Sequence, residues 1–402
     1  MGSTATVDIY NPDWYLTDQV HDTLARLRDN ERVVWQDIPG DAGYWAVLTH
    51  ADVVTVARDP QRFSASLGSV MLETLDPETL ERMRHMLLVM DPPQHLVYRR
   101  PLASHFLPAV VGRMTEQIRV RCRAIMDRAA EQGEVDFVHD VAGPLPAQII
   151  AEVMGLPHED TPMLQRWAEI QTGGQDDEIV AGYEGNASME MAMYGIAKAA
   201  ERRGQPRRDD LTSLLLETTF DDGQPMSDLD YGSFFVQLVT AGNDTTKTVM
   251  SSGVYELVRR PDQLAALRRD PTLIPVAVEE MLRYCNPLHC FRRTATTDTE
   301  LGGKRIAAGD KVAMMYTAAN RDPAVFTDPQ TFDIRRSPNP HLSFGIGEHF
   351  CLGVHLARLE IRVFLEELLA SFATIEPTGA PVKIRSNLNN GYKRMPMRLA
   401  RS

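Results

Sequence analysis

The stretch HLSFGIGEHFCLGVHLARLE, residues 341–360, sets one of only four cysteines behind a glycine-bearing loop and ahead of an apolar helix. Gly345, Gly347 and Gly353 flank Cys351, and glycine lets a backbone take positive φ and approach a flat ligand closely. After the cysteine, Leu352, Leu356, Leu359 and Val363 recur at spacings of four, three and four, the period of one buried helix face. Cys351 therefore stands at or beside a helix N-terminus, where unpaired N–H groups and the helix dipole favour a thiolate. Three readings are open on these residues alone. The thiolate ligates a soft metal centre, or the residue is an inert buried cysteine, or it is a nucleophile activated by His349 or His355.

Working outward, the 402-residue chain is 43% hydrophobic and 24% charged, the composition of an ordinary globular protein with a large core. Its net charge of −13 argues against a nucleic-acid footprint, which wants a basic face. Cys122, Cys285, Cys290 and Cys351 form no CxxC pair, a pattern that suits a reducing cytosol. The N-terminal sequence lacks the apolar stretch of a signal peptide, and no run of 18 apolar residues occurs, so a cytoplasmic location is expected. MGSTAT matches the loose N-myristoylation pattern.

RVVWQDI and YWAVLT around PGDAG read as a β-hairpin, and ADVVTVARD as the helix after it, closed by Asp59-Pro60. Residues 64–90 show no clean strand, and 105–285 are mostly helical in pattern. KRIAAGDKVAMMY reads as a second hairpin around Ala307–Asp310. A single mainly α domain over 1–402 is expected, α+β in class, with small sheets near 30–50, 290–317 and 380–400.

FGIGEHFCLG resembles the haem-binding signature FGxGxHxCxG of the cytochrome P450 family of haem-thiolate monooxygenases. The resemblance implies that haem b lies between a long distal helix and the helix following the cysteine loop. By it Cys351 is the axial thiolate of the iron, Phe344 packs beside the loop, Gly353 lies against the cofactor and His349 reaches a propionate. A thiolate ligand favours O–O cleavage, whereas histidine suits reversible O2 binding.

Other segments test that identification. LVTAGNDTTKTVM, 238–250, reads as helix, yet holds Gly242, which costs a helix about 1 kcal/mol relative to alanine, and threonines that can bend it. It resembles the family's AGx[DE]T stretch, where a local opening makes room for O2. By that resemblance Asp244 and Thr245 are the acid–alcohol pair that delivers protons, a role that O–O cleavage requires, while Thr246 packs locally. VEEMLRY puts Glu280 and Arg283 three apart, neighbours on a helix, and resembles the ExxR element. The family's third partner is replaced here by Thr331, leaving Arg335 or Arg336 as substitutes. MDPPQHLVYRR resembles DPPxHxxxR, so His95 and Arg99 are expected on a propionate. FRRTATTD resembles RxAxxD with Arg293 aligned. Arg100 and Arg292 are expected to face solvent, and Pro101 to end or kink its helix.

The resemblance further implies a substrate pocket lined by Met71, Leu72, Met86, Leu238, Ala241, Leu288, His289 and Phe291. It also implies a hydrophobic substrate of the steroid, terpenoid or alkyl and branched-lipid kind. The chain has no flavin or iron–sulfur pattern, so electrons from NAD(P)H are expected through a ferredoxin and its reductase. The docking contacts would be Arg99, Arg100, Arg358 and Arg362. Two competing functions remain: a haem-based gas sensor or carrier without turnover, and a peroxide-driven hydroxylase. The acid–alcohol pair speaks against both.

Overall fold

The computed structural model describes residues 7–17, 19–220 and 223–401; the MGSTAT segment lies outside them. The helical part is carried by α1 (Gln94–Ala103), α2 (Thr115–Gln132), α3 (Pro144–Met154), α4 (Thr161–Thr172), α5 (Ala187–Arg202), α6 (Asp228–Val258), α7 (Ile274–Tyr284) and α8 (Val354–Ser371). The 31 residues of α6 span about 46 Å at about 1.5 Å each, and α3, α4, α5, α7 and α8 all pack against it. Ser227 caps its first turn by accepting from the Asp230 N–H, and Asp228 and Asp230 complement the helix dipole there. Apolar side chains leave α6 in more than one direction: Phe234, Phe235, Val239, Val249 and Met250 all lie in the main core. A helix apolar nearly all round is a buried one. No helix among the described residues is long and apolar enough to cross a membrane.

The largest sheet joins β1 (Val33–Ile38), β2 (Asp41–Val47), β3 (Phe63–Ser64), β4 (Cys290–Ala295) and β5 (Lys311–Met315) in the order β1-β2-β5-β4-β3. The β2–β5 pair is parallel, and the other pairs are antiparallel. Alternate residues of β5 enter opposite clusters. Ala313 and Met315 meet Ile9, Tyr15 and Leu24, whereas Val312 and Met314 meet Val53 and Val56 of the helix His50–Arg58. Burial on both faces explains why this strand reads as a continuous apolar run.

That burial also corrects the second hairpin. Lys304–Ile306 turns back on Thr299–Leu301 through Gly302 and Gly303, at φ +57° and +79°, a Gly-Gly turn suited to a two-residue hairpin. The strand after Ala307–Asp310 is instead β5 of the main sheet. Two more local expectations shift. α1 continues past Pro101 to Ala103 before a 3-10 turn over Ser104–Phe106. Within the mostly helical stretch, Gly133 (φ +72°) ends α2 and releases a short strand, Glu134–Asp136, which pairs with Pro396–Ala400.

Candidate haem-thiolate site

The loop that carries Cys351 is closed by its own backbone. The Cys351 N–H donates to the Phe344 carbonyl at 2.9 Å, Gly345 N–H to Leu342 at 2.8 Å, and Phe350 N–H to Gly347 at 3.1 Å. Gly345 and Gly347 sit at φ +67° and +78°, and a Cβ at 347 would meet the Ala57 carbonyl oxygen at 2.6 Å. Both positions therefore require glycine. α8 starts at Val354 with Gly353 as its N-cap, so the sulfur lies three residues ahead of the first helical residue. The Gly353 N–H points to the sulfur, and the guanidiniums of Arg99 and Arg358 stabilise its anion. Burial outweighs them and holds the thiol above its ordinary pKa. Arg358 is fixed by two bonds of 2.7 Å to Glu279 and lies 4.8 Å from the centre of the Phe344 ring.

A cluster of nitrogen donors lies near this loop. The rings of His95 and His349 are 4.4 Å apart. His95 is fully buried, and neither of its ring nitrogens nor Nε2 of His349 has a hydrogen-bond partner among the described residues. Arg293 is buried and donates to the carbonyl of its own neighbour, Arg292, at 2.9 Å. Arg99 donates to the Phe350 carbonyl at 2.6 Å. Burial first, then Arg99 and Arg293, push the His95 pKa down to about 4. Burial, then Arg293, His95 and Arg99, push His349 down to about 2. Buried ring nitrogens without partners, set beside Arg99 and Arg293, are groups suited to holding an anion. Glu348 comes only to 4.0 Å of His95, and Asp91 is already held by the Ala65 N–H and the Ser66 hydroxyl.

On α6 the exposed or partly exposed positions Leu238, Ala241, Gly242 and Thr245 fall at spacings of three, one and three, beside fully buried Val239, Asn243, Asp244 and Thr246. Together with partly exposed Gln237 and Thr240 they make the least buried stretch in the middle of the helix. The Thr245 hydroxyl donates to the Ala241 carbonyl at 2.7 Å. The helix runs unbroken through this segment, contrary to the expected opening. Gly242 answers to packing instead: a Cβ there would lie 3.2 Å from Ile150 of α3.

The remaining expected site residues are distributed as follows. Met86 and Leu238 pack partly buried on the main core, and Leu288 bridges to Asn389 in the turn after residue 385. Leu72 is buried in the cluster between the sheet and the N-terminal segment. Phe291 meets Tyr316 edge-on at 6.1 Å. His289 is enclosed: Nδ1 sits 2.9 Å from the Thr317 hydroxyl and the ring 4.1 Å from that of Tyr15. Arg292, expected in solvent, is buried. It donates to the carbonyls of Met71 (3.3 Å) and Glu73 (3.0 Å), because a chain crossing the sheet edge there needs donors. Arg336, not Arg335, completes the Glu280–Arg283 pair, at 3.1 Å from Glu280. Lys247 and Glu169, which the sequence reading did not single out, join Asp244 in one buried cluster. Lys247 is an i,i+3 neighbour of Asp244, but Glu169 lies 78 residues from Lys247 and carries no sequence signal.

The cysteine loop at the head of α8, the buried His95 and Arg293 with His349 against His95, and the long central helix are the arrangement expected of a haem-thiolate protein. The comparisons agree. The family model for cytochrome P450 matches residues 270–395. A steroid C26-monooxygenase of Mycolicibacterium smegmatis is 38% identical over 92% of this chain and 88% of its own. A methyl-branched lipid omega-hydroxylase of Mycobacterium tuberculosis is 37% identical over 96% and 92%. The structure of a Mycobacterium marinum cytochrome P450 in complex with pseudoionone has a TM-score of 0.92 at 35% identity, over 99% of both chains. The chain belongs to the cytochrome P450 family, whose members carry haem iron and act as monooxygenases. The unpartnered ring nitrogens of His95 and His349 and the half-buried Cys351 ahead of α8 fit that cofactor.

Proposed function

We propose that this protein hydroxylates a hydrophobic small molecule, of the steroid, terpenoid or alkyl and branched-lipid class, with O2 and two electrons drawn from NAD(P)H through a ferredoxin and its reductase. The observation that carries the reading is the open stretch of Leu238, Ala241 and Thr245 on α6, with the buried carboxyl of Asp244 beside it. The haem, when bound, supplies O2 activation; the protein supplies position, protons and the exclusion of water.

Cys351 would hold the iron, with His95, Arg99, Arg293 and His349 on the propionates and Phe344 and Gly353 beside the ring. Thr245 presents a hydroxyl to the open face of α6, and Asp244 stands behind it as the acid member of the pair. Leu238 and Ala241 supply apolar surface there, joined by Met71, Met86, Leu288 and Phe291; Leu72 and His289 would act through packing. The apolar walls orient a substrate that cannot compete for the protons, and they keep bulk water away from Thr245. Arg99, Arg100, Arg358 and Arg362 would offer positive charge to an acidic ferredoxin.

Screening steroids, terpenoids and branched lipids for a Soret shift, then for NADPH-driven product with a surrogate ferredoxin pair, tests the reading. Absence of product across all three classes, with the haem loaded and reducible, would overturn it.

A further inference from the structure

On α6, Gln237, Ala241 and Thr245 recur at spacings of four, so they stand in a row on one face of the helix. The row runs along the least enclosed part of α6. Gln237 and Thr245 are partly exposed and Ala241 is exposed, whereas residues 231–236 and 246–254 on either side are buried. Exposure in the middle of a helix that five others pack against opens on space inside the fold. From Gln237 to Thr245 the helix rises about 12 Å, eight residues at about 1.5 Å each.

Gln237 is held at one end only. Its Oε1 accepts from the Leu88 N–H at 3.2 Å, in the 3-10 turn Leu87–Val89. The same segment is pinned two turns earlier on α6, where His85 Nδ1 lies 2.8 Å from Asp230 Oδ1. A backbone N–H needs an acceptor, so the oxygen is the bonded end of the Gln237 amide and the NH2 group is the other. Among the described residues Nε2 has no hydrogen-bond partner, and it is not a buried atom. The positions around it bring carbon: Leu238 and Ala241 on the helix, Met86 and Leu88 on the loop. Tying down the loop takes the oxygen alone, and both N–H bonds are left over.

We propose that Gln237 is a substrate-binding residue: its Nε2 donates to a carbonyl oxygen carried by an otherwise hydrocarbon substrate, at the end remote from the carbon that is oxidised. The proposal rests on the reading above, in which the substrate lies along this stretch and reacts near Thr245. In the empty site, water satisfies the amide. A hydrocarbon that expels this water leaves the donor unpaired, whereas a molecule with an acceptor at that point replaces the lost bond. Affinity and register then come from one contact. Apolar walls alone let a chain slide, since the hydrophobic effect has no direction. One hydrogen bond at Gln237 stops it, and sets the carbon about 12 Å further along at the level of Thr245. Ala241, the smallest side chain of the row, leaves room for the chain between them.

Dodecan-2-one and dodecane, the second carried in cyclodextrin, test the contact by calorimetric titration of the haem-loaded protein, with product positions read by mass spectrometry. The ketone is expected to bind about tenfold tighter than the hydrocarbon and to be hydroxylated mainly at one carbon, while dodecane gives a spread. Gln237→Met removes the amide and should bring the two ligands to equal affinity and spread the ketone's products. Gln237→Glu keeps an oxygen for the Leu88 N–H but has no donor when ionised. At about pH 9, far above the ordinary carboxyl range, it should lose the preference in the same way. Equal affinities in the parent protein overturn the proposal, and so does a preference that survives in Gln237→Met. Loss in Gln237→Met with full retention in Gln237→Glu assigns the effect to the loop at Leu88 and overturns the donor role. A ketone preference that depends on Gln237, with no product from the reducible protein, supports the contact and overturns the hydroxylation reading instead.

Discussion

Glu280 Oε1 lies 2.7 Å from Arg283 Nη2, one turn along α7, and neither side chain has any exposure. Arg283 also donates to the carbonyls of Asn320, Pro329 and Thr331 at 2.8–3.0 Å. Glu280 accepts from the Asp333 N–H at 2.8 Å, from Arg336 and from Asn339. The pair thus ties α7 to the irregular 320–339 segment that leads into the Cys351 loop.

Removing one member leaves the other charge buried without its counterpart, which costs about 3–5 kcal/mol. Glu280→Ala and Arg283→Ala are expected to give little folded, haem-loaded protein. Arg336→Ala, whose side chain is 10% exposed, should lower the thermal midpoint less. Thermal unfolding of all three, followed at the Soret band, checks the order.

Cys351→Ser replaces a soft anionic sulfur by a weakly acidic hydroxyl. The bond from the Cys351 N–H to the Phe344 carbonyl is a backbone bond and survives, so far-ultraviolet circular dichroism should match the parent. The carbon-monoxide spectrum of the reduced protein should lose the red-shifted Soret band of thiolate ligation completely. A retained band would remove Cys351 from the iron.

Thr245→Ala removes the hydroxyl on the open stretch but no core packing. Substrate-induced Soret shifts are expected unchanged, whereas product per NADPH falls by about tenfold to a hundredfold, the scale of a lost proton donor. Hydrogen peroxide measured alongside product should account for the missing electrons.

Burial, with a smaller contribution from Lys383, pushes the His289 pKa down to about 3, from about 6.5 when unfolded. The folded protein keeps this ring neutral while the unfolded chain protonates it. The stability it contributes is therefore full above pH about 6.5 and is lost as pH falls toward about 3. His289→Gln should flatten that part of the acid-unfolding curve, a change read from urea midpoints between those two pH values. An unchanged slope would place the acid sensitivity elsewhere.

Arg292 anchors the 71–73 segment through two carbonyls. Arg292→Met should leave those oxygens unpaired, at about 1–3 kcal/mol each where buried. Faster proteolysis within 64–76 and a weaker substrate-induced Soret shift are the expected signs.

The local codes were legible in the chain itself. The glycine spacing around Cys351, the helical period after it and the paired Glu280 and Arg283 depend on near neighbours, whose geometry the backbone enforces. The first hairpin and the helix after it likewise stand where their β-branched residues and turn residues put them. Tertiary packing decided the rest. β5 left the expected hairpin because a strand buried on both faces is held by β2 and β4, not by its preceding turn. Gly242 proved to be room for Ile150, not a break in α6. Arg292 was drawn inside by carbonyls some 220 residues away, and Glu169 reached Lys247 across 78. Sequence spacing reports what one turn or one strand can touch. The charge of a buried group is settled by whatever distant segment the folded core brings against it.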